Sequence, residues 1–336
     1  MMKKLLLLNI FTINLILASS ISKVGTSSAK FLSVPVDAWG TGRGGAVVTG
    51  FEDPSTLFWN PATITFINRI STHFSYTKWF EDINFNYIAT VIPSASGTLG
   101  INATFYNTDP IEVTTELFQE GTGEYYSVNS TAIGFAYARS LTDKFAIGAN
   151  AKYIVENIYH CSATGFAIDI GGYYITPWKN LRMGFSISNF GTKMQMTGED
   201  LLVTIDPDPS NSGNNDNINA YYATDKFDLP LSMTIGMAWD KIYWGNNKIT
   251  VEVDGIYPSD NYASINTGIE WSMFNDVIHL RSGVSDLFMK SAKPQYSFGG
   301  GIRYPILGKM ILNINYAYQP SIYFRNNEHF SISIIF

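Results

Sequence analysis

The sequence predicts an all-β protein, a transmembrane antiparallel β-barrel of about fourteen strands with a plug segment ahead of it. Three observations carry that prediction. Apolar residues recur with period two from Ile70 to the end of the chain. Charged residues make up only 15% of the sequence while aromatics also reach 15%, with 20 Tyr, 22 Phe and 28 Gly; a soluble domain usually carries about 25% charge. Finally, no segment after the N-terminus has the roughly 18 uninterrupted apolar residues of a membrane helix. Scarce charge, abundant aromatics and alternation without long apolar runs are the composition of strands that cross hydrocarbon.

The N-terminus reads as a secretory signal peptide over residues 1–20. Lys3 and Lys4 form a positive start, Leu5 to Leu17 is apolar apart from Asn9, Thr12 and Asn14, and Ala18-Ser19-Ser20 supplies small residues for cleavage. The apolar stretch is too short to span a bilayer as a helix. Removing it leaves about 316 of the 336 residues, enough for one large all-β domain. The net charge of −6 disfavours nucleic acid, which wants a basic face. Cys161 stands alone, so no intrachain disulfide or paired-thiol metal motif exists, and it reads as a buried small residue.

The alternation is clearest at the end, where Phe330, Ile332, Ile334 and Phe336 alternate with Ser331, Ser333 and Ile335. Leu312, Ile314, Tyr316 and Tyr318 alternate likewise with Asn313, Asn315 and Ala317. Successive strand side chains point to opposite faces, so each segment has one greasy and one small or polar face. Fourteen strands are expected at 69–80, 83–93, 97–107, 126–140, 143–156, 163–176, 181–190, 227–241, 246–257, 262–274, 276–287, 294–304, 308–319 and 326–336. Many are about ten residues, the length a tilted strand needs. Aromatic pairs at Trp79-Phe80, Tyr125-Tyr126, Tyr173-Tyr174 and Tyr243-Trp244 are expected in interfacial girdles. Every second connection is a tight turn, and the others include two long excursions, 108–125 and 191–226. Barrels of this type keep short turns periplasmic and long loops outside. An even strand count then predicts an outer-membrane protein with both termini periplasmic.

The expected inward faces carry Lys152, Asp169, Arg182, Glu252, Asp254, His279, Arg281 and Arg303 among many Gly, Ala and Ser. A barrel this wide is not filled by its own side chains. Residues 21–68, Gly-rich and without sustained alternation, are the candidate plug, leaving 69–336 for the barrel.

The motifs add little chemistry. Gly40-Thr41-Gly42-Arg43-Gly44-Gly45 has dinucleotide-binding spacing but no βαβ context. The glycines are better read as letting a compact segment turn tightly and press on a wall. Asp206, Asp208, Asn211, Asn214, Asn215 and Asp216 offer oxygen ligands, of which Asp206, Asp208 and Asp216 would be the core of a metal site. Their spacing misses the EF-hand pattern, and a solvated loop tip explains them. His73, His160, His279 and His329 sit in no nucleophile motif, so neither an enzyme nor a cofactor is expected.

Residues 29–62 resemble the PorV/PorQ family of outer-membrane proteins, itself similar in architecture to FadL-type fatty-acid channels. The likeness rests on Ala29-Lys30-Phe31-Leu32, Gly42-Arg43-Gly44-Gly45-Ala46, Glu52-Asp53 and Trp59-Asn60-Pro61-Ala62. It continues through Lys78 to Ile83, Glu120 to Tyr125, Gly165 to Gly171 and Ser188 to Gly191. At Asp37-Ala38-Trp39-Gly40 the sequence departs from the Ala-Arg pair common in the family. The resemblance implies a fourteen-stranded barrel and a hatch containing Phe31, Gly42, Arg43, Gly44, Gly45, Asp53, Asn60, Pro61 and Ala62. It also implies a type IX secretion role, in which such proteins bind the C-terminal signal domain of exported cargo. Outer-loop residues Met194, Met196, Leu201, Leu202, Tyr221 and Tyr222 would then form a partner surface or pack over the barrel mouth. The alternative function is FadL-like uptake of hydrophobic small molecules, an argument by analogy. Membrane lipid and the barrel-assembly machinery, which reads a C-terminal aromatic such as Phe336, complete the expected partners.

Overall fold

The computed structural model describes residues 24–79, 83–210, 215, 217–243, 247–290, 292–306, 308–321 and 326–336. The expected signal peptide, the residues between the first two expected strands (Glu81 and Asp82), and the candidate ligands Asn211, Asn214 and Asp216 lie outside the described residues. Fourteen antiparallel strands form a closed ring. They are β1 Ser71–Lys78, β2 Asn84–Ser94, β3 Gly97–Asn107, β4 Val128–Thr142, β5 Phe145–Ile158, β6 Cys161–Ile175 and β7 Leu181–Gly191. The second half comprises β8 Ser232–Tyr243, β9 Asn247–Pro258, β10 Ser264–Met273, β11 Ile278–Leu287, β12 Gln295–Pro305, β13 Ile311–Gln319 and β14 Asn327–Ile335. Closure occurs where β1 pairs β14, from Ser71 opposite Ile335 to Lys78 opposite Glu328. No free edge remains, which is the condition for a sheet to lie in lipid.

Polarity is inverted relative to a soluble barrel. Outward Phe74, Ile101, Phe135, Trp239, Ile302 and Phe330 are exposed, whereas inward Ser75, Thr104, Asn150, Glu252, Ser297 and Ser331 are buried. An apolar outer band over a polar interior needs hydrocarbon as its solvent. The period-two rule explains one correction. Neighbours on a strand face opposite ways, so an aromatic pair supplies at most one girdle residue. Tyr174 faces out, but Tyr173 is buried inside against Phe66, with ring centroids 4.5 Å apart. Tyr125–Tyr126 belongs to a short loop hairpin with Ile111–Glu112 rather than to the ring. Phe80 and Trp244 are outside the described residues.

The β8 start is also displaced, from the expected 227 to Ser232. Proline lacks the donor a ladder needs, and the Pro230 carbonyl instead accepts from Asn189 Nδ2 at 3.1 Å. Phe227 leaves the ring to pair with Met194.

Residues 29–67 lie against the inward faces of the strands. They contain two short helices, α1 Ala38–Gly42 and α2 Thr56–Trp59, and 3-10 turns at Lys30–Ser33 and Pro61–Phe66. Asp37 caps α1 by accepting from Gly40 N at 2.8 Å, the short polar side chain expected at an N-cap. The segment crosses the barrel lengthwise. Ser27, Lys30 and Ala29 bond Asp260, Asp260 and Glu156 at the long-loop end. Arg69 Nε reaches the Phe336 carbonyl at the short-turn end. The two ends of the described chain, near Ser27 and at Phe336, therefore sit at opposite ends of the barrel.

The β14 ladder is extended by Phe336 N donating to Ile70 O at 2.9 Å. A chain lacking Phe336 is expected to assemble poorly, seen on a gel as loss of the heat-shifted folded band. Normal assembly would contradict the role given to this strand.

Candidate functional site

The polar interior is organised around carboxylates on β9 and β10. Glu252 and Asp254, two residues apart on β9, point to the same face and are fully buried. Arg43 Nη2 donates to Glu252 Oε2 at 2.8 Å, and Thr49 N and Oγ1 donate to Glu252 Oε1 at 2.7 and 2.8 Å. Val47 N and Val48 N both donate to Asp254 Oδ2, at 2.7 and 2.9 Å. Glu270 Oε2 accepts from Trp39 Nε1 at 3.1 Å and from Arg281 Nε at 2.6 Å. Arg281 in turn donates to Asn315 Oδ1 at 2.7 Å. Buried charges persist only when paired and hydrogen-bonded, and here the N-terminal segment supplies most of the donors.

Glycine makes the contact close. Gly44 and Gly45 adopt φ of +66° and +71°, and a Cβ on Gly44 would stand 2.7 Å from Val284 N. From the wall side, a Cβ on Gly283 would meet the Arg43 carbonyl carbon at 2.1 Å. Backbone lies against backbone there, so neither partner can yield. Gly42 approaches Gly299 in the same way. Asn60 donates to the Val48 and Gly172 carbonyls at 2.7 and 3.1 Å, while its Oδ1 caps Ala62 N at 3.0 Å behind Pro61. Phe31 packs into an apolar cluster with Leu32, Val36, Phe85 and Ile154.

A second polar group ties the segment to the β1–β14 closure. Asp53 stands 3.2 Å from His73 Nδ1 and accepts from Ser333 Oγ at 2.7 Å. Burial pushes the Asp53 carboxyl up, but the His73 ring and the Ser333 hydroxyl outweigh it and hold it well below the usual carboxylate range. Asp37 is shifted the other way, by burial and then by the charge of Asp53. Ser333 and Asp53 both meet the same His73 nitrogen. A triad instead uses opposite ring nitrogens, so this arrangement lacks triad geometry; what it does is tie the segment to the closing strands.

Of the other inward residues, Lys152 pairs Asp169 at 2.7 Å, and Lys152 also bonds Asn189. Arg182 pairs Asp240 and donates to Thr49 Oγ1 at 3.2 Å. His279 is buried against Ser272 Oγ at 3.1 Å, and Arg303 stands 3.9 Å from Glu52. Trp39, Thr49, His73, Glu270, Ser333 and the wall glycine Gly283 did not stand out in the sequence. The available signal was an inward carboxylate or glycine inside an apolar strand, such as Ile269-Glu270-Trp271.

The loop 191–226 divides. Met194 is 1% exposed and packs on the apolar cluster under the barrel mouth, which removes it from any partner surface, and Met196 is partly buried beside it. Met194 N and O pair with Phe227, pulling that end of the loop inward. Leu201 is half-buried, Leu202 is exposed, and Tyr221 and Tyr222 are 65% and 67% exposed. Asp206 Oδ1 accepts from Asp208 N at 3.0 Å and Asp208 Oδ1 from Ser210 Oγ at 2.6 Å, so both carboxylates serve loop turns. Among the described residues no cluster of His, Cys, Asp and Glu could hold a metal.

The family model described as type IX secretion system protein PorV matches residues 18–202, more than half of the chain. The chain belongs to the PorV family. Solved structures similar to this family member include the CymD monoaromatic hydrocarbon channel, at TM-score 0.56 and 14% identity, covering 90% of this chain and 96% of that one. The Pseudomonas putida toluene transporter TodX aligns at TM-score 0.55 and 12% identity, covering 88% and 95%. A Pseudomonas aeruginosa FadL homologue aligns at 0.55 and 13%, covering 90% and 98%. At such identities the likeness shows the fold alone, a FadL-like outer-membrane barrel. No curated protein matches the sequence.

Two expectations follow. Arg43→Met strands Glu252 in the interior and should cost about 3–5 kcal/mol in urea unfolding from detergent. Arg303→Met, at a partly exposed pair, should cost under about 1 kcal/mol; equal losses would contradict the account. The depressed Asp53 carboxyl contributes stability that is complete above the ordinary carboxylate value of about 4 and is lost as pH falls through its folded value. Asp53→Asn should therefore narrow its stability gap to the parent as the pH is lowered below 4, measured by unfolding at a series of pH values.

Proposed function

We propose that this outer-membrane barrel is a type IX secretion accessory that binds exported cargo or secretion machinery at the cell surface. The observation that carries the reading is the PorV family match. Exposed apolar side chains at the long-loop end support it: Leu117 and Phe118 in loop 108–125, Tyr221 and Tyr222 in loop 191–226, and Phe288 after β11. Exposed aromatics on loops beyond the membrane band are commonly interaction sites. In this reading residues 21–68 are a hatch that closes the lumen, residues 1–20 are removed on export, and the outer loops receive the C-terminal domain of cargo. Catalysis has no part in it.

A second reading, uptake of hydrophobic small molecules, is favoured by the likeness to the hydrocarbon channels CymD and TodX. Its weakness is the lumen, where Arg43, Glu252, Asp254, Glu270 and Arg281 occupy the centre. Two cavities beside the segment, of about 270 and 350 Å³, have linings that mix polar and apolar groups. A pocket for apolar ligands is mostly apolar.

Deleting the gene should leave secreted proteins stranded in the periplasm, measured by mass spectrometry of medium and periplasm. Affinity capture from detergent-solubilised envelope should bring down secretion components or cargo, and Tyr221→Ala/Tyr222→Ala should weaken that capture. Normal secretion in the deletion strain, with fatty acid or hydrocarbon in the purified barrel, would favour the second reading.

A further inference from the structure

Outside the closed ring the described residues hold two small antiparallel sheets, both at the long-loop end. One is only two residues long, Ile111–Glu112 against Tyr125–Tyr126. The other, in loop 191–226, pairs Leu202–Ile205 with Ile218–Tyr221, from Leu202 opposite Tyr221 to Ile205 opposite Ile218. Its base is fixed to the barrel. Thr197 and Gly198 pair with Ser162 and Cys161 of β6, and Asp200 accepts from His160 N at 3.0 Å. On the returning leg Thr224 Oγ1 donates to the Met196 carbonyl at 2.6 Å. Beyond that base the hairpin is uncovered: of its eight strand residues six are exposed and none is buried.

Such a hairpin is incomplete by its own chemistry. Val203 pairs with Ala220 and Ile205 with Ile218, so all four fall on one face. Val and Ile favour strands, but a two-stranded hairpin with no covered face is marginal in water, and a third strand is what stabilises it. The edges are open as well, because the sheet consists of these two strands alone. Tyr222 N donates to Leu201 O at 2.9 Å, which places the bonded pairs at 201–222, 203–220 and 205–218. Bonded and non-bonded pairs alternate in an antiparallel ladder, so the N–H and C=O groups of Asn219 and Tyr221 point away from the hairpin. On the other strand Leu202 N turns back to Glu199 O, which shortens that edge. The 218–221 edge therefore offers two donors and two acceptors at alternate residues, the spacing that one more strand requires.

We infer that the 218–221 edge receives an extended strand of exported cargo, which joins the hairpin as its third strand. The inference rests on the secretion reading above and specifies how the outer loop holds its cargo. Backbone pairing supplies the attraction, as at other strand-addition sites, and alternate side chains of the incoming strand extend the apolar face. Charge selects among strands. Loop 191–226 carries six Asp and Glu against two Lys, with Asp206 and Asp208 just beyond Ile205. The strand that fits is apolar at every second place and flanked by Lys or Arg, whereas an acidic strand is repelled.

Cargo captured by the intact barrel from detergent-solubilised envelope, identified by mass spectrometry, is the probe. Asn219→Pro removes one outward N–H and breaks no bond of the hairpin, whereas Asn219→Ala keeps that N–H. Both variants should retain the heat-shifted folded band. The expected result is that Asn219→Ala captures cargo like the parent and Asn219→Pro captures several-fold less. In the purified complex of the parent, the Asn219 and Tyr221 amides should exchange hydrogen several-fold more slowly than in the free barrel. Equal capture by Asn219→Pro and the parent, equal loss in both variants, or unchanged exchange of the two amides overturns strand addition and leaves the secretion reading standing. Failure of the parent to capture any cargo overturns both.

Discussion

The pairing of Glu252 and Asp254 with the N-terminal segment is the interaction on which the interior depends. Two carboxylates on one strand cannot stay buried at the centre of a membrane barrel without donors. Arg43, Thr49 and the consecutive N–H groups of Val47 and Val48 supply them. The reverse dependence is as strong, because a segment this short and glycine-rich has no core of its own. It takes its shape from Asp37, which caps α1 and binds Trp59 Nε1 at 2.8 Å, and from the walls it touches. One acidic cap at Asp37 thus orders two helices at once.

The consequences reach both ends of the molecule. At the long-loop end, Lys30 and Asp260 join the start of the segment to the loop after β9, at 2.7 Å. At the short-turn end, Asp53, His73 and Ser333 join it to the strand pair that closes the ring. Loops that could meet a partner and the strand that completes assembly are therefore linked through one fixed piece of chain. Such a build suits a protein that presents a rigid outer face more than one that must clear its lumen for each passing molecule, which favours the secretion reading over uptake.

The barrel was legible because lipid imposes a strict pattern: every second side chain must be apolar, and strand 326–336 shows it residue by residue. The interior was only half legible. Charged inward residues such as Lys152 and Arg281 could be named from their place in an alternating strand, but their partners are far away in sequence. Glu270 and its donor Trp39 are separated by 231 positions. The Tyr173-Tyr174 pair misled because composition records that aromatics cluster at strand ends and not which face each takes. Met194 misled for a related reason, since an apolar residue in a loop reads the same whether it meets a partner or the barrel mouth. The path of residues 24–69 through the lumen lies in no local pattern at all.

The central claim is that the N-terminal segment and the barrel wall form one packed unit held by buried charge. Amide hydrogen exchange of the folded protein in detergent, read by mass spectrometry on peptides covering residues 38–50 and strands β9 and β10, measures it. The account predicts that the Val47, Val48 and Thr49 amides exchange as slowly as the amides of β9. Exchange of those three amides while the strands stay protected would contradict it, and would describe a segment that leaves the wall without unfolding the barrel.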